Sequence, residues 1–363
     1  MYIEELELKN FRNYEELKVS FNKNVNIFLG RNAQGKTNLL EGIYLNAMAK
    51  SFKTNHDKEL IRFGEDYCVI KTKAFAGDED QTTEIIIDKT GKKGIKIDGV
   101  KVKRTSELLE RLYIIVFSPE DLKIVKDEPE KRRRFIDREL CQIKPGYLSD
   151  LSDYRRILKQ RNAYLKQQDI NMDMLDVWDQ SLAEYGSRII KRREEFIQNI
   201  DEISRDIHGR ISGGAETLEL KYEPNVYFEE NAAEEFYQLL CKRRAEDIAL
   251  RTTGHGPHKD DLKISADGID LRKYGSQGQQ RTAALSLKLS EIKLIEQETG
   301  EKPILLLDDV LSELDNDRQK YLINSLGENQ MFITTTDIIG SVAKALPEGK
   351  IFTIEQGKIK IEI

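Results

Sequence analysis

The chain has 363 residues, 39% hydrophobic and 34% charged, with a net charge of −6 and a pI near 5.6. That is enough apolar material for two or three packed domains, but the acidic balance excludes a globally basic nucleic-acid binder, so any such surface has to be local. Three separated cysteines (Cys68, Cys141, Cys241) exclude a disulfide framework and a C-x-x-C zinc site, the acidic start Met1–Glu5 is unlike a signal peptide, and no apolar run reaches membrane-spanning length, which together place the protein in a reducing cytoplasm with no membrane partner.

Tyr2–Lys9 alternates apolar and charged residues, which predicts a strand. Val25–Leu29 is a short β-favouring apolar run, and Asn38–Leu45 has helical spacing. Between them stands Gly30-Arg31-Asn32-Ala33-Gln34-Gly35-Lys36-Thr37, which matches G-x-x-x-x-G-K-[ST], the phosphate-binding P-loop. Gly30 and Gly35 let the backbone approach and turn its N–H groups toward phosphate oxygens. The helix start adds partial positive charge. Lys36 is expected to reach the β- and γ-phosphates of ATP, and Thr37 to ligate Mg²⁺.

Further strands are expected at Tyr67–Ile70, Glu84–Ile87 and Gly94–Ile97, punctuated by Gly91 and Asp98-Gly99 as in an antiparallel meander. Tyr113–Phe117 reads as a buried strand ending at Ser118-Pro119. From about Glu128 the pattern turns helical. Tyr147, Leu151, Tyr154, Leu158 and Leu165 form one stripe, and Leu182, Tyr185, Ile189, Phe196, Ile200, Ile203 and Ile207 another, as in two long helices packed face to face. A third helix covers Ala232–Ile248. The α/β character returns at Leu262–Ile264, Ile304–Leu307 and Met331–Thr335, and Glu355-Gln356-Gly357 reads as the turn of a closing hairpin. His255–Asp261, with two histidines and two aspartates, reads as a re-entry loop rather than a metal site.

Two further segments complete a site. Four apolar residues followed by Asp308-Asp309 form a Walker B pattern, with Asp308 on the metal side and Asp309 where a water-activating acid sits. Tyr274-Gly275-Ser276-Gln277-Gly278-Gln279-Gln280-Arg281 opens a helix over Thr282–Glu296, with Ser276 as N-cap and Gly275 and Gly278 leaving backbone N–H groups open to an anion.

The order of P-loop, Ser276–Gln279 segment, Walker B and Leu311–Asp315 resembles the ATP-binding-cassette head of SMC-type proteins, and more closely the RecF family of recombination mediators. Leu8–Tyr14, Phe117–Leu122, Gly256–Asp261, Tyr274–Arg281 and Leu306–Asp315 carry that resemblance nearly end to end. It implies an α/β fold: an ABC-type P-loop ATPase head, with a mixed sheet plus an antiparallel meander (1–125 and 255–363), and an inserted α-helical domain (126–254). It implies that Ser276, Gly278 and Gln279 close in trans over ATP held by Gly30–Thr37 of a second copy, giving an ATP-dependent homodimer. Arg12, with Asn13, would lie near the nucleotide. Asp309 stands where transporters of this superfamily carry Glu, and Thr336, before Asp337, where they carry a switch His. Lys36, Asp309 and Thr336 are thus the catalytic candidates, and slow hydrolysis is implied. The partners implied are DNA (duplex and single-strand gap junctions) and, with RecO and RecR, the loading of a recombinase in repair, replication restart and the SOS response. The alternative is an SMC-like structural or nuclease-associated ATPase, but the insert is too short for a coiled-coil arm.

Basic residues gather in the insert at Lys131–Arg134, Arg155-Arg156, Lys159, Arg161, Arg188, Lys191–Arg193 and Lys242–Arg244. Singly these read as solvated helix faces with i,i+4 pairs; together they are the candidate surface for DNA phosphates.

Overall fold

The alternating start becomes β1 (Tyr2–Phe11), which turns through Arg12 and Asn13 into β2 (Tyr14–Ser20). β3 (Val25–Leu29) enters the P-loop, and α1 (Lys36–Met48) leaves it. The meander is β4 (Tyr67–Ala76), β5 (Glu79–Asp88), β6 (Lys93–Ile97) and β7 (Val100–Lys101), followed by α2 (Ser106–Leu109) and β8 (Ile114–Phe117). The helical stretch comprises α3 (Leu122–Lys126), α4 (Pro129–Ile143), α5 (Tyr147–Tyr164), α6 (Met172–Ile211), β9 (Leu218–Glu223) and α7 (Ala232–Leu250). Then come β10 (Asp261–Ala266), β11 (Ile269–Asp270), α8 (Leu271–Tyr274), α9 (Gln277–Thr299), β12 (Ile304–Asp308), α10 (Asn316–Ser325), β13 (Met331–Thr335), β14 (Gly349–Glu355) and β15 (Lys358–Glu362). This computed structural model describes residues 1–109, 111–144, 146–336 and 348–362. The chain divides into two compact units, Met1–Asp121 with Glu291–Ile363, and Leu122–Ser290.

The first unit holds two six-stranded sheets. One is the antiparallel meander β2-β1-β4-β5-β6-β7; the other is mixed, β15-β14-β3-β13-β12-β8, with β14, β3, β13, β12 and β8 parallel. Its parallel strands are apolar runs rather than alternations: β12 (Ile304–Leu307) and β8 are buried throughout. α1 packs against strands of both sheets and is buried nearly all round, so it needs no polar face. Gln330, 2% exposed, joins the sheets by reading both backbone groups of Ile3: its Oε1 accepts from Ile3 N at 2.7 Å and its Nε2 donates to Ile3 O at 2.8 Å. The meander is laced by cross-strand ion pairs, Lys18 on Glu7 at 2.6 Å and Lys96 on Glu84 at 2.7 Å directly in register and Lys73 on Glu4 at 2.7 Å at the irregularity between Ile3 and Glu5.

In the second unit α6 packs against α5, α7 and β9, as the two stripes require. The lobe is not purely helical. β9 alternates buried and exposed residues and pairs antiparallel with β10, making a three-stranded sheet β11-β10-β9. That pairing spans some forty residues of chain, so six residues between two helices gave no local sign of it. The unit runs on to Ser290, whereas the sequence places the return to the ATPase lobe at 255.

Candidate nucleotide-binding site

The P-loop leaves the C-terminal end of β3, between β13 and β14, where ligands of parallel sheets bind. Its two glycines are forced by close approach. A Cβ on Gly30 would stand 2.4 Å from the Ile354 carbonyl of β14, and Gly35 has φ +113 with Asn13 Nδ2 2.5 Å from where its Cβ would be. The loop is braced from two sides. Tyr14 donates to Gly35 O at 2.9 Å and Asn13 Nδ2 to Gln34 O at 3.1 Å, while on the β14–β15 hairpin Gln356 N donates to Gln34 Oε1 at 2.7 Å and Gly357 N to Gln34 O at 3.0 Å. Ala33, like Arg12, sits at positive φ; holding non-glycine residues there costs energy that the surrounding contacts must supply.

Lys36 is 4% exposed and folds its ammonium over its own loop, 2.5 Å from Gly30 O and 3.3 Å from Arg31 O. Thr37 donates to Asp308 Oδ1 at 2.7 Å, so the P-loop hydroxyl and the Walker B acid meet across 271 residues of sequence. Thr334 on β13 donates to the same oxygen at 2.9 Å and accepts from Asp309 N at 3.0 Å. Asp309 turns the chain at φ +51. Burial raises its carboxyl above the ordinary range, Lys36 opposes that, and Asp308 adds to it. Thr336 is exposed just past β13, and Asp337 lies outside the described residues. Asp315 caps α10 by accepting from Arg318 N at 3.0 Å, and Gln319 donates to Leu311 O at 2.6 Å and Leu314 O at 3.0 Å, fixing the segment after Walker B.

Arg12 is committed to the helix behind the loop. Its guanidinium forks onto Glu41 with both bonds at 2.8 Å and donates to Glu59 O at 2.8 Å. Glu41, fully buried on α1, gave no sign of this in a helix read as apolar spacing. Ser276, Gly278 and Gln279 lie in the second unit. They form a reciprocal capping box: Ser276 N donates to Gln279 Oε1 at 2.9 Å, and Gln279 N donates to Ser276 Oγ at 3.2 Å. Ser276 itself is exposed.

The loop His255–Asp261 is a buried keystone of the second unit. Asp260, 1% exposed, accepts from Arg193 at 2.8 Å, from Tyr222 and from Asn225 N at 2.8 Å, and Arg132 forks onto Asp261 at 2.6 and 3.0 Å. Among the described residues no group of three or more His, Cys, Asp or Glu is placed to hold a metal. His258 meets Tyr154 OH at 2.7 Å and the Thr253 carbonyl at 3.1 Å. Burial lowers its ring from 6.5 to about 4. The unfolded chain therefore takes up this proton first: the stability is fully present above pH 6.5 and is lost as pH falls toward about 4. The loss approaches about 3 kcal/mol. His258→Gln should flatten the corresponding decline in Tm; a decline as steep as in the wild type would place its origin elsewhere.

A family model described as the RecF/RecN/SMC N-terminal domain matches residues 2–359. The chain is 48% identical over 367 residues to a DNA replication and repair protein RecF of Agathobacter rectalis, covering 99% of each. The chain belongs to the RecF family. A solved structure of the recombination mediator protein RecF with ATP in the RecFOR pathway superimposes with a TM-score of 0.92 at 39% identity, covering 100% of this chain and 97% of that one. The Smc head domain of Pyrococcus furiosus, at 18% identity and a TM-score of 0.58, shares the fold. The α/β ABC-type head read from the sequence is thus the RecF and SMC head fold.

In this RecF-family chain the basic clusters are not simply solvated faces. Arg161 is fully buried between Asp179 and Asp247, each at 2.6 Å; Arg193 is held by Asp137 and Asp260; Arg244 bonds Asp176 and Asp179 at 2.6 Å. Arg133 donates to the Asp260 carbonyl at 2.6 Å. Sequence spacing cannot distinguish such arginines from surface ones, because their partners come from distant helices and from the loop before β10. The exposed members include Arg155, Lys159, Arg188, Lys191, Lys242 and Arg243. Among the described residues no helix is long and apolar enough to cross a membrane.

Proposed function

We propose that this RecF-family protein is an ATP-gated DNA-binding switch of recombinational repair and replication restart. ATP binds at Gly30–Thr37, and two copies close around two nucleotides, each supplying Ser276, Gly278 and Gln279 to the other's ATP. The closed dimer holds DNA at gaps and junctions, acts with RecO and RecR to load a recombinase, and opens after slow hydrolysis.

The observation that carries this reading is the 2.7 Å contact between Thr37 and Asp308. One hydroxyl and one carboxylate oxygen are the hard donors Mg²⁺ takes from a protein when phosphates and waters complete its shell, so these residues fit that ion. Mg²⁺ held there would neutralise phosphate charge. Lys36 orients and neutralises the β- and γ-phosphates once released from Gly30 O and Arg31 O. Asp309 accepts a proton from the attacking water: its raised carboxyl favours a base, and its reach, one methylene shorter than Glu, favours slow turnover. Exposure of Ser276 supports its use by a second copy. The exposed lysines and arginines of the second unit supply phosphate contacts with steep salt dependence.

Ser276→Arg places bulk and charge at that cap. ATP is expected to shift the wild type from monomer to dimer in sedimentation and to tighten duplex binding, and to do neither in the variant, whose ATP affinity stays within about threefold. A variant that loses ATP binding would sink the trans arrangement.

A further inference from the structure

The capping box at the start of α9 does not stand alone. Gln279 Nε2 donates to Glu216 Oε1 at 2.9 Å, using the amide group that the box leaves over. The second oxygen of Glu216 faces His208 Nε2 at 3.4 Å, and His208 Nδ1 lies 3.1 Å from Ser286 Oγ, two turns further along α9. His208 is fully buried in the last turn of α6, whereas Glu216 is only a quarter exposed, in the connection to β9. That connection turns through Gly213 and Gly214, both at positive φ, and is tied down by Thr217 N on Asp267 Oδ1 at 3.0 Å. The carboxylate thus meets α6 through His208, its backbone neighbour is fixed by the β10–β11 turn through Asp267, and it in turn holds Gln279.

We infer that Glu216, held by His208, is the residue that positions Gln279 and, through the capping box, Ser276, so that the long helix α6 is coupled to the segment that closes over the second copy's ATP. The inference rests on the trans closure proposed above. α6 has 40 residues and so spans about 60 Å. It carries Arg188, Lys191 and Arg192 on its way, so a polyanion seated on these residues pulls on an element whose last turn fixes Glu216. A helix packed along its length moves as a body, and one hydrogen-bonded carboxylate passes a displacement of its end to Gln279 without any change in the P-loop. The coupling therefore acts on dimer closure and not on nucleotide affinity.

The experiment compares full-length wild type, Glu216→Ala and Glu216→Gln. Glu216→Gln keeps an acceptor for Gln279, and Glu216→Ala does not; in a partly exposed loop neither threatens the fold. In the absence of nucleotide, amide exchange of the 274–283 segment should be about tenfold faster in Glu216→Ala, the loss of one hydrogen bond, and near wild type in Glu216→Gln. With ATP, the dimer of Glu216→Ala should dissociate about tenfold more readily, at unchanged ATP affinity of the monomer, and Glu216→Gln should recover most of the loss. Unchanged exchange in Glu216→Ala overturns the positioning role, whatever the dimer does. Faster exchange with wild-type dimer affinity overturns the coupling. A wild type that stays monomeric with ATP overturns the trans closure itself, before any variant is read, and the coupling with it.

Discussion

Lys36→Met is expected to remove ATP binding while leaving the fold in place. The side chain is 4% exposed, and its ammonium rests on two carbonyls of its own loop, Gly30 O at 2.5 Å and Arg31 O at 3.3 Å. That arrangement keeps a buried cation satisfied until phosphate oxygens replace the carbonyls. Methionine has nearly the same length and volume, so the space is filled, and the cost is that two loop carbonyls lose a donor, about 1–2 kcal/mol. The bound state loses more. A charge-assisted hydrogen bond to a phosphate contributes about 1.5–3 kcal/mol, and Lys36 would make two, so affinity should fall at least about 100-fold. Calorimetric titration reads the affinity, and a thermal melt confirms the fold. Binding within about threefold of wild type would mean that the braced backbone of the loop, not the ammonium, holds the nucleotide.

How far the sequence reaches follows from which contacts are local. The P-loop, the Walker B acids and the Ser276 cap are short motifs with fixed spacing and are found where the sequence places them. The helix, however, starts at Gln277 rather than Thr282, the Gly275 N–H is taken by Leu271 O at 3.2 Å, and the return bond of Gln279 to Ser276 N is an addition from the structure. The α5–α6 stripes and the closing hairpin are periodic and likewise appear. What surrounds the motifs was not legible. Asn13, Tyr14, Gln356 and Gly357 brace the P-loop from two hairpins distant in sequence. Glu41 on α1 receives Arg12 from the distant β1–β2 turn, and β9 needed β10 to become a strand. The arginines misled for the same reason. A run such as Lys131–Arg134 is a charge pattern in sequence, but Arg132 and Arg133 turn inward because Asp261 and the Asp260 carbonyl wait for them. A polar group's partner decides whether it faces water or core, and the partner is the long-range term that spacing omits.

The same buried charges carry the largest expected effect on stability. In Asp260→Ala the carboxylate that accepts from Arg193, Tyr222 and Asn225 N is gone, at a site 1% exposed. Arg193 then keeps Asp137 at 2.8 Å and the Pro257 carbonyl at 2.7 Å, but loses half its counter-charge, and the Tyr222 hydroxyl loses its acceptor. Removing one partner of a buried pair costs about 3–5 kcal/mol, because the remaining charge stays desolvated. For a unit of this size that corresponds to a fall in Tm of about 10 °C. Asp260→Asn separates the two contributions. It can still accept from Tyr222 or Asn225 N but supplies no charge to Arg193, so its Tm should lie between those of Asp260→Ala and the wild type. Because Asp260 belongs to the unit Leu122–Ser290 and the P-loop to the other, ATP binding below the transition should persist in both variants. A Tm within about 2 °C of wild type for Asp260→Ala would mean that the helical packing of α4–α7, and not this ion network, holds the unit together.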